Sequence, residues 1–395
     1  MTLELNQVTT IFLAVALLVL GTAILNRVGF LQKFCIPAPV IGGLLFAILA
    51  TILKSTGILE ITLDTSLQSL FMLTFFTTVG LGASFKLIKL GGKLLVIYWL
   101  ACGFLALAQN VIGVSLASLF DIHPLIGVMM GAVSMEGGHG AAGAFGQTIE
   151  DMGINSALSV GIAAATFGLV AGGLVGGPTV KYLVSKYDLK PTETDVEVKH
   201  VEEDVKPITT NVFFIQVLLI TFCMALGTYL GELFSSATGF VLPTYVGAMF
   251  VAVIVRNIVD KFDPKAIDMK SINLISDVTL GIFLSMALMS IKLWEIADLA
   301  LPMLVIVFTQ VVFIVLFGIF ILFRILGKDY DAAVMVAGFT GHGLGATPNA
   351  MANMAAVTQR FGPSRKAYLI VPIVGAFLID VLGMPIIITT INLFK

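Results

Sequence analysis

Charge is what this sequence lacks most. Asp, Glu, Lys and Arg make up 12% of its 395 residues, where a soluble globular chain carries roughly a quarter. That deficit excludes an ordinary water-soluble enzyme and a disordered chain. Charge of one sign is lacking too, since a net charge of -2 gives no basic surface to recruit nucleic acid. Cysteine is scarce: Cys35, Cys102 and Cys223 stand far apart in apolar surroundings. They form neither a CxxC metal site nor a disulfide framework, and they read as small buried hydrophobes. GxSxG and HExxH are both absent, which argues against an intramembrane hydrolase. The first apolar run also lacks a basic leader: Met1–Gln7 carries Glu4 and no Lys or Arg, so it is not a signal peptide.

Hydrophobic residues are abundant, at 58% with a mean hydropathy of +1.04. Runs of about 18 apolar residues or more predict membrane-spanning helices. Ten are expected, over 8–25, 38–53, 66–84, 94–119, 156–180, 211–231, 240–258, 272–291, 299–323 and 367–391. The charged, proline-containing stretch 185–209 reads as a flexible linker. With Met1 outside, 19 of the 22 basic residues fall in inside loops, leaving Lys54, Lys292 and Lys395 outside. The positive-inside rule therefore places both termini outside and the linker in the cytoplasm.

Two Gly/Ala-rich segments, 124–150 and 331–364, are too interrupted for continuous helices and too apolar for water-exposed loops. Re-entrant hairpins reconcile these properties, because broken backbone is tolerated at membrane depth where protein or a polar cavity surrounds it. The two halves match at a nearly constant offset. Pro37 pairs with Pro243, the GGHG at 137–140 with the TGHG at 340–343, and Pro178 with Pro385. Five spans per half force the second copy to be inverted. The expected fold is an all-α polytopic membrane protein of two inverted-topology repeats, each with five transmembrane helices and a re-entrant hairpin. The N-terminal repeat covers 1–184, the linker 185–209 and the inverted repeat 210–395. Inverted repeats with interrupted helices are an architecture of secondary transporters.

Glycine at the hairpin tips lets backbone groups approach a ligand, and a half-helix starting there aims a positive dipole end at an anion. Close helix packing is the plainer use of the same glycines. The tips supply Gly137, Gly138 and Gly140, then Gly341, Gly343 and Gly345 as candidate substrate contacts, with Thr340, Thr347 and Asn349 beside the second. His139 and His342 occupy equivalent places, either bonding backbone near a cavity or touching the ligand. Asp380 sits near the middle of the last span, and an intramembrane carboxylate usually marks an ion or substrate pathway. Glu136, at a tip, is the second such candidate. Asp380 reads as a cation ligand or as partner for a substrate ammonium, and Asn353, Thr166 and Thr347 offer neutral oxygens suited to a dehydrated alkali cation beside it. Gly168, Gly172 and Gly176 recur every fourth residue, as closely packed membrane helices require. The chain has five arginines, all in expected cytoplasmic loops, and no lysine in a span core. A passive channel is disfavoured because the polar residues cluster at the tips rather than lining several helices.

The segments IPAPVIGG (36–43), GGHG (137–140), ATFGLVAGGLVGGP (165–178), GLGATPNAMANM (343–354), QRFGPS (359–364) and VPIVGAFLID (371–380) resemble the bacterial sodium/glutamate symporter family, over nearly the whole chain. The resemblance implies sodium-driven glutamate uptake across the bacterial inner membrane, with co-transported Na+ and no organic cofactor. It also implies a homodimer in the lipid bilayer with an elevator-like movement. Its proposed binding region maps onto Gly137–Gly140 and Gly341–Gly345. A proton- or sodium-coupled carrier of citrate or malate is the alternative reading.

Overall fold

The computed structural model describes residues 2–33, 36–191, 208–263, 266–292 and 299–395. Cys35, His200 and most of the expected linker lie outside the described residues. Strand β1 (Thr2–Leu5) leads into α1 (Gln7–Leu25), the short α2 (Gly29–Lys33) and α3 (Ala38–Ser55). Strand β2 (Glu60–Leu63), parallel to β1, precedes α4 (Gln68–Gly82) and α5 (Lys86–Leu119). A broken segment follows: α6 (Pro124–Val128) with a π-turn over Met129–Val133, then α7 (Gly138–Asp151). Helix α8 (Ala157–Tyr187) closes the first half.

The second half runs α9 (Thr210–Thr238), α10 (Thr244–Phe262), α11 (Met269–Met289) and α12 (Ala300–Phe317). A π-turn over Gly318–Leu322 joins α12 to α13 (Phe323–Ile325). Then come α14 (Tyr330–His342), α15 (Thr347–Phe361), α16 (Arg365–Ile373), a π-turn over Val374–Leu378, and α17 (Ile379–Phe394).

Every expected span meets a helix. Among the described residues, eight stretches are long and apolar enough to cross a membrane by themselves. The other two expected spans fall on α4, which has 15 residues, and on α10, whose last turns carry Arg256, Asp260 and Lys261. Large apolar side chains face outward along the long helices, with Phe12, Leu218, Leu301 and Phe308 each at least 68% exposed. In a bilayer they meet lipid tails rather than water. Local signals set the helix starts. Asn6 accepts from the Thr9 N–H at 3.0 Å, and His123 caps Leu125 ahead of Pro124.

Similar contacts recur in the two halves of the chain. Pro37 and Pro243 each stand in extended backbone just before a helix, α3 and α10 respectively. A Cβ on Gly21 would strike the backbone of Ala38 and Gly42, and one on Gly227 would strike Ala248. Gly43 likewise abuts Leu288 while Gly80 abuts Met249. These pairs fix where α1 crosses α3, α9 crosses α10, α3 meets α11 and α10 meets α4.

The helices pack as two groups. One contains α1, α3, α4, α9, α10 and α11, and the other contains α5–α8 and α12–α17. Contact between the groups is sparse, chiefly α7 on α11 and α4 on the Val374–Leu378 π-turn. Phe145 on α7 reaches Tyr245 on α10 with ring centres 5.6 Å apart, and Phe76 on α4 closes on the same tyrosine at 4.9 Å. Within the second group α5 and α12 run antiparallel, Phe104 stacking on Phe317, while Gly113 and Gly127 bring α5 and α6 into backbone contact.

Candidate functional site

The two glycine-rich segments break where the sequence places their tips. The first breaks between Val133 and Gly138, with Gly131 already non-helical (φ -98°, ψ -136°) and Gly138 left-handed at φ 60°. Its two arms lie against different neighbours. The descending arm runs antiparallel to α5, and α7 runs antiparallel to the first half of α8, Gly146 packing on Leu158. The second segment is a closed helical pair. Gly341 lies against Ala350, Asn353 Nδ2 donates to Ala337 O at 3.4 Å, and Tyr330 Oη donates to Gly362 O at 2.5 Å.

The breaks meet. A Cβ on Gly138 would sit 2.6 Å from the Gly345 carbonyl oxygen. Helices α7 and α15 both start here, and neither has a side chain capping its first-turn N–H groups. Two positive helix ends are therefore available to an anion at one place.

A cavity of about 660 Å³ opens beside them, between the two helix groups. Of the expected site residues it is lined by Glu136, Gly137, Gly138, His139, Gly140, His342, Thr347, Asn349 and Asp380. Its size suits a small-molecule ligand. Among the described residues its lining includes no lysine or arginine.

Several of these side chains already have partners. The Thr347 hydroxyl donates to Gly375 O at 2.6 Å, and Asn349 Nδ2 donates to Leu169 O at 3.1 Å. His139 Nε2 lies 3.0 Å from Thr166 Oγ1, and His342 Nδ1 lies 3.1 Å from Tyr98 Oη. Of the lining side chains, His342 Nε2 and Glu136 Oε1 are buried without a hydrogen-bond partner.

Thr340, Gly341, Gly343, Gly345, Asn353 and Thr166 stand behind the lining. Thr340 donates to Val336 O at 2.9 Å within its own helix, and Gly343 O accepts from Gln109 Nε2 at 2.7 Å. Asn353 Nδ2 donates to Gly172 O at 3.1 Å. Gly168, Gly172 and Gly176 are the face of α8 on which the second break rests. Cβ atoms there would press on Leu344, Asn349 and Asn353.

The opposite wall comes from the first helix group and was not expected from the sequence. Phe75, Phe76 and Val79 of α4 and Ser276, Asp277 and Leu280 of α11 line it. Asp277 had a signal. It lies eight residues into α11, about 12 Å along the axis, within the span expected over 272–291. The amides of Gln109 and Gln310 had one too, each in an apolar stretch of its helix. Gln310 Nε2 donates to Gln109 O at 2.8 Å, tying α12 to α5 behind the second break.

Unwound helices meeting at a cavity, inside a bundle coated with apolar side chains, fit a membrane transport protein. The family model described as Sodium/glutamate symporter matches residues 3–363. The chain belongs to that family. It is 41% identical to the sodium/glutamate symporter of Escherichia coli (strain K12) over 385 residues, 96% of each chain. It is also 41% identical to that of Haemophilus influenzae over 381 residues, 95% of this chain and 94% of the relative. Among solved structures, a sodium proton antiporter from Methanocaldococcus jannaschii covers 98% of this chain at 15% identity, with a TM-score of 0.47.

Proposed function

We propose that this chain imports L-glutamate across the bacterial inner membrane by symport with sodium. The observation that carries the reading is the cavity where two uncapped helix starts converge without a basic side chain. Glutamate brings two carboxylates and one ammonium. The helix starts suit the carboxylates, with the tip glycines Gly137, Gly138, Gly140, Gly341, Gly343 and Gly345 allowing close backbone approach. Glu136, His139, Thr340, His342, Thr347 and Asn349 complete the proposed substrate region. Sodium, held at Asp380 with Asn353, Thr166 and Thr347 as further candidate ligands, supplies the positive charge the side chains lack. Coupling then follows physically: without sodium the site is too negative to hold the anion.

In this reading ten helices span the bilayer as two inverted repeats, 1–184 and 210–395, joined by the cytoplasmic linker 185–209. Segments 124–150 and 331–364 re-enter from opposite faces, and both termini lie outside. The offset-matched contacts Gly21–Gly42 and Gly227–Ala248 support the repeat. The cavity borders Pro37 and the first half of α11, on the side of the basic loops, as an inward-facing state would. Sparse contact between the helix groups supports an elevator-like movement of the second group against the first. The exposed apolar face of α9, including Phe214, Leu218 and Phe222, gives a homodimer a surface to use.

Counterflow of labelled glutamate in proteoliposomes tests the reading. Accumulation should be strong in sodium and absent when choline replaces it. Equal counterflow in both would refute sodium coupling.

A further inference from the structure

Glu136 and Asp380 come from different halves of the chain and line the same space. Both line the large cavity, and both also line a second, much smaller one of about 10 Å³. The rest of that small cavity is Ala132, Gly137 and apolar residues of α17 such as Ile379 and Met384. About 10–15 Å³ accommodates a single water-sized particle. Glu136 is 8% exposed, and its Oε1 is buried with no hydrogen-bond partner. Across the large cavity the charged side chain is Asp277, of the same sign, and the lining imidazoles are His139 and His342. Two carboxylates facing one atom-sized space, with no Lys or Arg beside them, lack the counter-charge that buried ions require.

We propose that Glu136 and Asp380 jointly bind one dehydrated sodium ion, so that Glu136 is a cation ligand rather than a contact for the substrate ammonium. This rests on the sodium-coupled reading above but assigns a site within it. Hard alkali cations favour oxygen ligands, and bidentate or paired carboxylates give the strongest of them. The site joins the first break to the start of α17, directly after the Val374–Leu378 π-turn. An ion there links the unwound backbone at Gly137 to the helix carrying Asp380. Sodium would thereby order the break before any anion arrives, which gives a structural order of binding: cation first, substrate second.

The test needs no glutamate. The purified full-length protein in lipid nanodiscs is titrated with sodium chloride against choline chloride at constant ionic strength, and thermal unfolding is followed. The wild type should gain stability along a saturable sodium curve. Glu136→Gln and Asp380→Asn should each raise the half-saturating sodium concentration at least tenfold. The double variant should be no worse than the weaker single, because one shared ion is lost only once. Glu136→Asp should recover part of the affinity, which separates ligation from general damage. A Glu136→Gln protein with an unchanged sodium curve but weakened glutamate binding would overturn the proposal and return Glu136 to the substrate. Additive effects in the double variant would mean two separate sites and would overturn it as well. If counterflow fails while the sodium curve behaves as expected, the transport reading falls and the cation site stands.

Discussion

At the second break the amide and hydroxyl side chains are committed to neighbouring elements, and only the imidazole of His342 keeps an unpaired nitrogen, Nε2. Asn349 and Asn353 donate to carbonyls of α8, and Thr347 donates to Gly375. At the first break His139 meets Thr166, but Glu136 Oε1 is buried with no partner. The second break is fastened by three hydrogen bonds to its neighbours, and the first leaves a carboxylate oxygen that a ligand must satisfy. A buried polar group left unpaired costs about 1–3 kcal/mol, so the first break holds that energy in reserve for binding. A site that must both persist and respond needs one part of each kind.

The sharpest way to break this contrast is to unseat the fastened side. Gly341 lies so close to Ala350 and Asn349 that a Cβ would overlap their backbone. Gly341→Ala should therefore part α14 from α15. Overpacking of this kind costs about 1–3 kcal/mol, and the unpaired amides add to it. We expect the largest fall in thermal stability of any alanine at the tips, together with loss of glutamate counterflow. Gly177→Ala, where nothing lies within 4 Å of the added atom, is the matched control and should hold or gain stability.

A smaller effect sharpens the comparison. Asn353→Ala removes the 3.1 Å bond to Gly172 O without adding bulk. It should cost about 1 kcal/mol, read as a lower unfolding temperature in sodium-free buffer. Glu136→Gln, measured in the same buffer, should not lower it, because the exchange removes an uncompensated buried charge and no hydrogen bond. Equal losses would show that the two breaks do not differ as the contacts suggest.

Much of this arrangement was legible in the sequence, for physical reasons. Apolar runs of membrane length are local signals, so all ten expected spans met helices within a few residues at most boundaries. The helix labelled α5 starts at Lys86 but kinks at Gly92 (φ 58°, ψ -150°), and its membrane-length stretch runs Gly91–Leu119, close to the expected 94–119. The Gly-rich stretches broke where glycine density was highest. What stayed hidden depends on contacts between distant segments. Nothing in residues 75–79 marks them as a cavity wall, because their role comes from where α4 meets the second helix group. The three π-turns leave no simple periodic trace, and the pairing of β1 with β2 joins segments 58 residues apart, Thr2 to Glu60. Asp277 is a different case. Its position inside an apolar run was readable by the argument that marked Asp380.

The smallest expected effect concerns Thr166, where sequence and geometry pull apart. As a hydroxyl in the span paired with the second break it is a candidate sodium ligand. In the structure its Oγ1 lies 3.0 Å from His139 Nε2 and 2.9 Å from Ile162 O, and it stands outside the cavity lining. Thr166→Val keeps the side-chain shape and removes both interactions. If the hydroxyl only orients His139, the variant should lose about 1 kcal/mol or less. Its sodium curve should match the wild type, while glutamate affinity falls a few-fold as the imidazole loosens. If Thr166 itself ligates sodium, the half-saturating sodium concentration should rise instead, with little change in glutamate affinity at saturating sodium. Titrating each ligand while the other is held saturating separates the two outcomes, because an orienting bond to His139 and a direct ligand act on different binding equilibria.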